Sequence, residues 1–362
     1  MKAHLGDLVN IKTGKLDANQ ADENGKYPFF TCSKEISKIN SYSYDCECVL
    51  IAGNGDLNVK YYNGKFEAYQ RTYILTSIDD NSLLNKYLYW FMNRYIVQLR
   101  SQSIGGVIKY IKLGDLTNIS LNLPTLDVQK KIVGIFESIE RLIVRKVFLL
   151  KVLDDLIKSR FVEMFGDPNM VALNKSIKLS SVAKIITGNT PSRKSLEYYG
   201  DYIEWIKSDN IISTNLYISQ AKEFLSEQGA AKGRVAPKDS LLMTCIAGSI
   251  RSIGNVGICD RSVAFNQQIN AIVLKNNINP LYIYWLLKLF KPSIIANVEM
   301  SLKGIISKSQ LENMLIPIIA SQEEQELFIK FALQINKLKS DVQKSIDETQ
   351  LLMDSLVQEY FG

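Results

Sequence analysis

Leu5-Gly6-Asp7-Leu8-Val9-Asn10-Ile11-Lys12-Thr13-Gly14 returns further along the chain as Leu179-Ser180-Ser181-Val182-Ala183-Lys184-Ile185-Ile186-Thr187-Gly188, with Leu5, Leu8, Ile11, Thr13 and Gly14 matched at a shift of 174. Tyr87-Leu88-Tyr89-Trp90 comes back as Tyr282-Ile283-Tyr284-Trp285 at a shift of 195, and Leu116 and Ile119 as Leu311 and Met314 at the same shift. From Gln129 the shift is 196 and holds without a gap: Gln129 pairs with Gln325, Leu142 with Leu338, Leu156 with Leu352, Ser159 with Ser355, Glu163 with Glu359, and Phe165-Gly166 with Phe361-Gly362. Chance gives one such match, not an ordered series, so the chain is a tandem duplication. Because the shift grows from 174 to 195, the second globular part holds 21 more residues than the first, whereas the segments that follow kept their length.

Those segments read as long helices. In the first, Ile135, Ile139, Leu142, Lys146, Leu149, Leu153 and Leu156 alternate by four and three; in the second, Phe331, Ile335, Leu338, Val342, Ser345, Thr349 and Leu352 keep the same register. This is a heptad seam, and it predicts that the two helices pair as an antiparallel coiled coil. Lys146 corresponds to Val342, and Leu149 and Leu153 to Ser345 and Thr349, so one seam is weak where the other is strong. Asp127 and Glu323-Glu324 suit the positive ends of helix dipoles, and Gly166 and Gly362 mark the stops. Some 35 helical residues make a rod about 50 Å long. Either the rod measures a distance or it is a plain core hairpin.

In the globular parts, short apolar runs bounded by turn residues predict strands over 48–52, 72–75, 240–245 and 269–274, with helices over 84–99 and 281–289. The fold class is therefore α+β: a mixed, strand-rich body followed by a long helix, twice over, with bounds at 1–126, 127–166, 167–320 and 321–362. Polar, glycine-containing loops stand at matching places: Thr13-Gly14-Lys15 against Thr187-Gly188-Asn189-Thr190-Pro191-Ser192-Arg193-Lys194, and Gln70-Arg71 against Gln267-Gln268. Amide side chains make bidentate bonds to adenine and arginine to guanine, while hydroxyls and lysines suit phosphate. A further loop holds Ser103-Ile104-Gly105-Gly106, with Lys109 beyond it, against Ser301-Leu302-Lys303-Gly304; glycine there permits close backbone approach to a ligand. Each of these loops is equally readable as an ordinary strand connection.

The net charge of +6 is unevenly spread: +2 over residues 1–126, +1 over 127–170, +7 over 171–320 and −4 over 321–362. The third segment is basic enough to approach a polyanion and the last is not. No apolar run approaches the roughly 20 residues of a spanning helix, and Met1-Lys2-Ala3-His4-Leu5-Gly6-Asp7 lacks the apolar segment of a secretory leader, so a cytoplasmic protein is expected. Five cysteines, with Cys46 and Cys48 one residue apart, and the single His4 suit neither a disulfide framework nor a zinc site. His4, in a helix-like segment, has no partnered nucleophile. Asp167-Pro168-Asn169 lacks the second proline of an amino-methyltransferase loop, Gly53-Asn54-Gly55 reads only as a turn, and there is no phosphate-binding Gly-Lys-Ser/Thr loop. The residues offer binding chemistry without reaction chemistry, and no metal or cofactor is expected on this chain.

Over its whole length the chain resembles the specificity subunits of type I restriction-modification systems. The likeness is carried by Gly188-Asn189-Thr190-Pro191-Ser192-Arg193 with Tyr198-Tyr199-Gly200 and Trp205-Ile206-Lys207-Ser208-Asp209, and by Asn266-Gln267-Gln268. It is also carried by the helix lead-in Leu123-Pro124-Thr125-Leu126-Asp127-Val128-Gln129 and by the helix ends Glu163-Met164-Phe165-Gly166-Asp167-Pro168 and Gln358-Glu359-Tyr360-Phe361-Gly362. The first copy departs with Lys15-Leu16-Asp17 in place of Thr190-Pro191-Ser192, and the second lead-in, Ile316-Pro317-Ile318-Ile319-Ala320-Ser321-Gln322, lacks the second proline-leucine element and is one residue longer. The resemblance implies two target recognition domains, each reading half of an asymmetric split site on double-stranded DNA, with paired spacer helices fixing the gap. It also implies two methylation subunits carrying S-adenosylmethionine and modifying adenine, and motor-nuclease subunits using ATP and Mg. The loop residues named above, with Lys207 and Ser208, are the expected DNA contacts. A duplicated coiled-coil scaffold, a stand-alone DNA-binding regulator and a degenerate methyltransferase are the competing readings.

Overall fold

A computed structural model describes residues 2–105, 108–170, 172–275, 278–296, 299–300 and 304–362. The chain divides into two compact units, one made of Met1–Phe148 with Val342–Gly362 and the other of Leu149–Asp341. Each unit therefore holds one repeat's strand-rich body, the first half of the helix that follows it and the second half of the other repeat's helix.

In the first unit a six-stranded sheet runs in the order Val9–Thr13, Thr72–Ser77, Tyr44–Ala52, Val59–Ala68, Tyr27–Phe30, Ser37–Ile39. All neighbours are antiparallel except Tyr27–Phe30 against Val59–Ala68. The run Cys48 to Ala52 is continuously apolar because both sheet faces are covered. Val49 and Ile51 pack with the helix Asn85–Gln102 through Leu88, Trp90 and Met92. Cys48 and Leu50 pack with Phe30, Phe66 and Ile74 on the other face. His4 ends a short strand, Lys2–His4, paired with Ser120–Asn122, rather than lying in a helix; the helical turn begins at Leu5, whose burial fixes the change of direction.

The second unit repeats this path with a break. Ala183–Thr187, Ile269–Leu274, Leu241–Thr244 and Val256–Ile258 form an antiparallel sheet. Phe224–Leu225, Tyr199–Ile206, Val263–Phe265 and Val235–Ala236 form another, in which Tyr199–Ile206 and Val263–Phe265 are parallel. The parallel pairs Phe29–Glu67 and Phe30–Ala68 of the first unit correspond to Trp205–Ala264 and Ile206–Phe265 here. The single long strand Val59–Ala68 thus has two counterparts, Val256–Ile258 and Val263–Phe265, interrupted at Cys259–Ser262. The helix Pro280–Ala296 stands where Asn85–Gln102 stands in the first unit.

The long helices are Leu126–Phe165 and Gln322–Phe361, each of 40 residues. Ser321 caps the second: its hydroxyl accepts from Glu324 N at 3.3 Å, and Glu324 accepts from Ser321 N at 2.9 Å. Gly166 and Gly362 close the two helices with φ of +81° and +59° and amides bonded to Val162 O and Gln358 O. In both units the helix segments run antiparallel. In the first, Phe136 stacks on Phe361 while Lys146 meets Ser345 and Thr349; in the second, Phe161 packs on Phe328 while Lys339 pairs with Asp154 at 2.6 Å.

The seam itself differs from the predicted one. Ile139, Leu153, Ile335 and Thr349 are buried as expected, but Leu142, Leu149, Leu156, Leu338 and Leu352 are 41–52 % exposed. The interior continues instead through Phe136, Ile143, Leu150 and Ile157, and through Ala332, Lys339, Ile346 and Met353. From a buried position, residues three and four ahead flank the same helix face. Both were apolar on much of the first helix, and packing chose the fourth.

The Phe-Gly helix ends meet the bodies crosswise. Phe361 packs on Tyr87 at 5.4 Å in the first unit and Phe165 on Tyr282 at 5.1 Å in the second, so matched residues of the duplication meet their non-sequential partners. The matched glutamines secure the helix starts. Gln129 accepts from Leu84 N at 3.0 Å and donates to Ser82 O and Pro124 O, while Gln325 accepts from Asn279 N at 3.1 Å and donates to Ala320 O.

Candidate nucleic-acid interface

In both units the first sheet strand ends in Thr-Gly against a turn. A Cβ on Gly14 would lie 2.1 Å from Ala68 O, and one on Gly188 would lie 2.1 Å from Asn266 O, so only glycine permits either approach. Gly14 N donates to Thr72 O at 3.1 Å and Gly188 N to Ile269 O at 3.0 Å; Lys15 N and Asn189 N then bond Ala68 O and Phe265 O. Thr13 and Lys15 are thereby set beside the turn that carries Gln70 and Arg71, and all four side chains are exposed. Gln70 Nε2 donates to Asp17 Oδ1 at 2.7 Å.

Gly53, which reads in sequence only as part of a turn, connects this loop to the next. Its amide donates to Arg71 O at 2.8 Å, its carbonyl accepts from Ile111 N at 3.0 Å, and a Cβ there would lie 2.4 Å from Arg71 O. Thr13, Gly53, Gln70, Arg71, Tyr73 and Ile111 consequently line one cleft. Beyond it Ile104 and Tyr110 pair in an antiparallel bridge, and Gly105 has φ +119°. Lys109 is exposed, and its carbonyl accepts from Gly55 N. Gly106 and Lys303 lie outside the described residues. Gly304 is buried in a short strand paired with Ile246–Ala247.

In the second unit the expected residues divide into two sets. Asn266 is buried: its Oδ1 accepts from Gln268 N at 3.1 Å and its Nδ2 donates to Gln268 Oε1, which also accepts from Ser208 Oγ at 3.4 Å. Thr187 Oγ1 donates to Asn270 Oδ1 at 2.7 Å, and Asn189 Nδ2 to Lys232 O at 2.9 Å. These groups hold the turns in shape. Thr190, Ser192, Arg193, Lys194 and Gln267 are exposed, with Thr190 hydrogen-bonded to Gln267.

Arg193 and Lys207 both reach Glu223, Arg193 Nη2 at 2.7 Å from Oε2 and Lys207 through Oε1. The Arg193 guanidinium also lies 4.7 Å from the Tyr199 ring and 4.9 Å from that of Trp205. The Lys207 hydrogen bond, with Arg193 beside it, holds the Glu223 carboxyl below the usual carboxylate range. Sequence reading missed Glu223 because nothing marks it apart from any other charged loop residue until the strand pairing sets it beside Trp205.

Among the described residues no group of histidine, cysteine, aspartate and glutamate is placed to hold a metal. Burial pushes the Cys245 thiol up to about 11 and the Cys259 thiol up to about 12, which suits packing rather than nucleophilic chemistry. No helix among the described residues is long and apolar enough to cross a membrane.

The chain matches the family model of the type I restriction modification DNA specificity domain twice, over residues 1–146 and 173–348. A stretch of 121 residues is 47% identical to the type I restriction enzyme EcoDI specificity subunit of Escherichia coli, covering 33% of this chain and 27% of that relative. The chain thus spans about a quarter of the length of that curated relative. Among solved structures, the S subunit of a type I restriction-modification system from M. genitalium matches with a TM-score of 0.59 at 15% identity, over 100% of this chain and 96% of that one. A chain from a structure of type I R-M complex assembly matches with a TM-score of 0.64 at 13% identity, over 100% and 97%. At these identities the likeness is one of fold.

Proposed function

The chain belongs to the family of type I restriction-modification DNA specificity domains, and from that premise we propose that it is the sequence-reading, non-catalytic subunit of such a system, each unit recognising one half of a split, asymmetric site on double-stranded DNA. One observation carries the reading: the two units hold the same glycine-pinned Thr-Gly turn against the same neighbouring turn, while the exposed side chains on it differ. Thr13, Lys15, Gln70 and Arg71 stand on one and Thr190, Ser192, Arg193, Lys194 and Gln267 on the other, where Thr187 is tied to Asn270. One scaffold with two sets of donors and acceptors suits two different half-sites. Gly105, Gly106, Lys109 and Lys303 would serve backbone approach and phosphate positioning, while Gly304, buried in its strand, would fix loop shape. Gly14, Asn189, Lys207, Ser208, Asn266 and Gln268 would act by fixing loop shape.

The reaction would belong to partners. Two methylation subunits would carry S-adenosylmethionine and dock on the long helices, and motor-nuclease subunits using ATP and Mg would join for cleavage, in the cytoplasm. Exposed apolar side chains on the helix segments, Val144 and Phe148 in the first unit and Leu327 and Leu338 in the second, support a protein-facing role. A gel shift of the chain with and without a cognate methylation subunit tests this. A strong shift only in the complex is expected. No shift in either case would favour a scaffold, and a shift by the chain alone would favour a stand-alone regulator. Sequencing of methylated adenines in cells expressing the complex is expected to give a split motif, half of which changes when residues 171–320 are exchanged.

A further inference from the structure

We propose that Arg193 reads the edge of a guanine in the half-site of the second unit, and that Glu223 is the residue that positions it. The inference rests on the function proposed above and adds a base and a positioning residue to it. Arg193 is more than half exposed, yet it is held from three sides: Nη2 bonds Glu223 at 2.7 Å, and the guanidinium lies against both Tyr199 and Trp205. Tyr199 also donates its hydroxyl hydrogen to Pro191 O at 2.7 Å, which anchors the backbone of the loop that bears Arg193. Trp205 is 3 % exposed. Among the described residues Nε and Nη1 of Arg193 have no partner, so the fork is pinned through Nη2 and keeps donors for a ligand.

Pinning one edge favours a base over a phosphate for two reasons. A planar fork suits a phosphate as well as the two acceptors O6 and N7 of guanine, but fixing its orientation matters more for the base, whose two acceptors lie in one plane at one edge. The Glu223 carboxylate, bonded directly to the guanidinium, offsets part of its charge, which weakens a contact to phosphate more than a bond to a neutral base edge. Lys207, the second partner of Glu223, balances that carboxylate so that the group keeps a net positive charge. Among the described residues the first unit has no such device. Its pair corresponding to Trp205 and Glu223 is Phe29 and Ser37, and Thr31 stands where Lys207 does.

The test uses the full chain co-expressed with its methylation subunit, with R193K, R193A and E223Q compared by sequencing of methylated adenines and by melting of the purified complexes. Both arginine variants are expected to lose discrimination at a single guanine position by about tenfold or more while every other fixed position is kept. E223Q is expected to relax the same position to a smaller extent. R193K preserves charge and fold, so its melting temperature should stay within a few degrees and its result stands if R193A assembles poorly. A uniform loss of methylation with the motif intact, together with a salt dependence reduced by about one counterion, would assign Arg193 to a phosphate and overturn the proposal. An unchanged motif and rate in R193K and E223Q would reduce the cluster to a surface ion pair. A wild-type complex with no split motif would instead refute the function from which this inference starts.

Discussion

Replacing Gln129 with alanine tests how the recognition body is fastened to its helix. The side chain is fully buried and makes three hydrogen bonds: from Leu84 N at 3.0 Å, to Ser82 O at 2.8 Å and to Pro124 O at 3.0 Å. At about 1 kcal/mol net for each bond, with an additional penalty because the half-buried Leu84 amide is left without its acceptor, the loss should come to about 3–5 kcal/mol. Gln325 makes the matching clasp with two bonds, so Gln325→Ala should cost about 2–3 kcal/mol. Gln129→Glu should not rescue: the carboxylate still accepts from Leu84 N but has no hydrogen for the two carbonyls and faces them with a charge. Denaturant unfolding combined with amide exchange separates the units, since Gln129→Ala should speed exchange at Leu84 and leave Asn279 unchanged. Equal, sub-kcal/mol effects for both alanine variants, or full rescue by glutamate, would refute the account of the glutamine as a shape-specific clasp.

Gly188→Ala sets a Cβ 2.1 Å from Asn266 O and should cost about 3 kcal/mol, whereas Gly55→Ala meets open space and bears only the left-handed φ of +71°, about 1 kcal/mol; paired thermal melts check the difference. Lys288 lies 4.7 Å from the Trp285 ring and donates to Tyr284 Oη, and although the rings and Asp154 favour its charge, burial, with Lys339 and Lys158 nearby, pushes it down to about 8. The folded chain therefore binds fewer protons than the unfolded one from about pH 8 to about 10.4, and this group's contribution to stability rises with pH across that window. Lys288→Met should be the more stable at pH 7 and should flatten the pH dependence measured by denaturant titration at pH 7 and 9.5. Inserting seven residues at matched positions of both long helices lengthens each by about 10 Å, or about three base pairs at 3.4 Å each; the methylated motif should gain a spacer of that size, and an unchanged spacer would remove the measuring role.

Periodicity and repetition made much of the fold legible. The apolar run Ile269 to Leu274 is the strand expected, and the helices predicted over 84–99 and 281–289 are present as Asn85–Gln102 and Pro280–Ala296. The break that splits the counterpart of Val59–Ala68 was not legible, because Cys259-Asp260-Arg261-Ser262 holds neither glycine nor proline. In the candidate site, the Thr-Gly turns stood out by repetition. Gly53 and Glu223 did not, since each matters through a neighbour distant in sequence: Arg71 O and Ile111 N for the first, Arg193 and Lys207 for the second.

By itself the sequence determined that the chain is written twice, that each copy ends in a helix of fixed length, and that the Thr-Gly pair recurs at matching places. These are local or repeated properties, set by side-chain spacing and by backbone stereochemistry. Only the tertiary structure decided which of two apolar stripes forms the helix seam, that Phe361 packs on Tyr87 and Phe165 on Tyr282 rather than within their own repeats, and that Lys146 meets Ser345 and Thr349, the polar stretch of one seam opposite that of the other. Matched residues offer the same side chains to either copy's partner, Phe165 and Phe361 to Tyr87 and Tyr282. The choice between them is made by the antiparallel course of the helices, which no single position encodes.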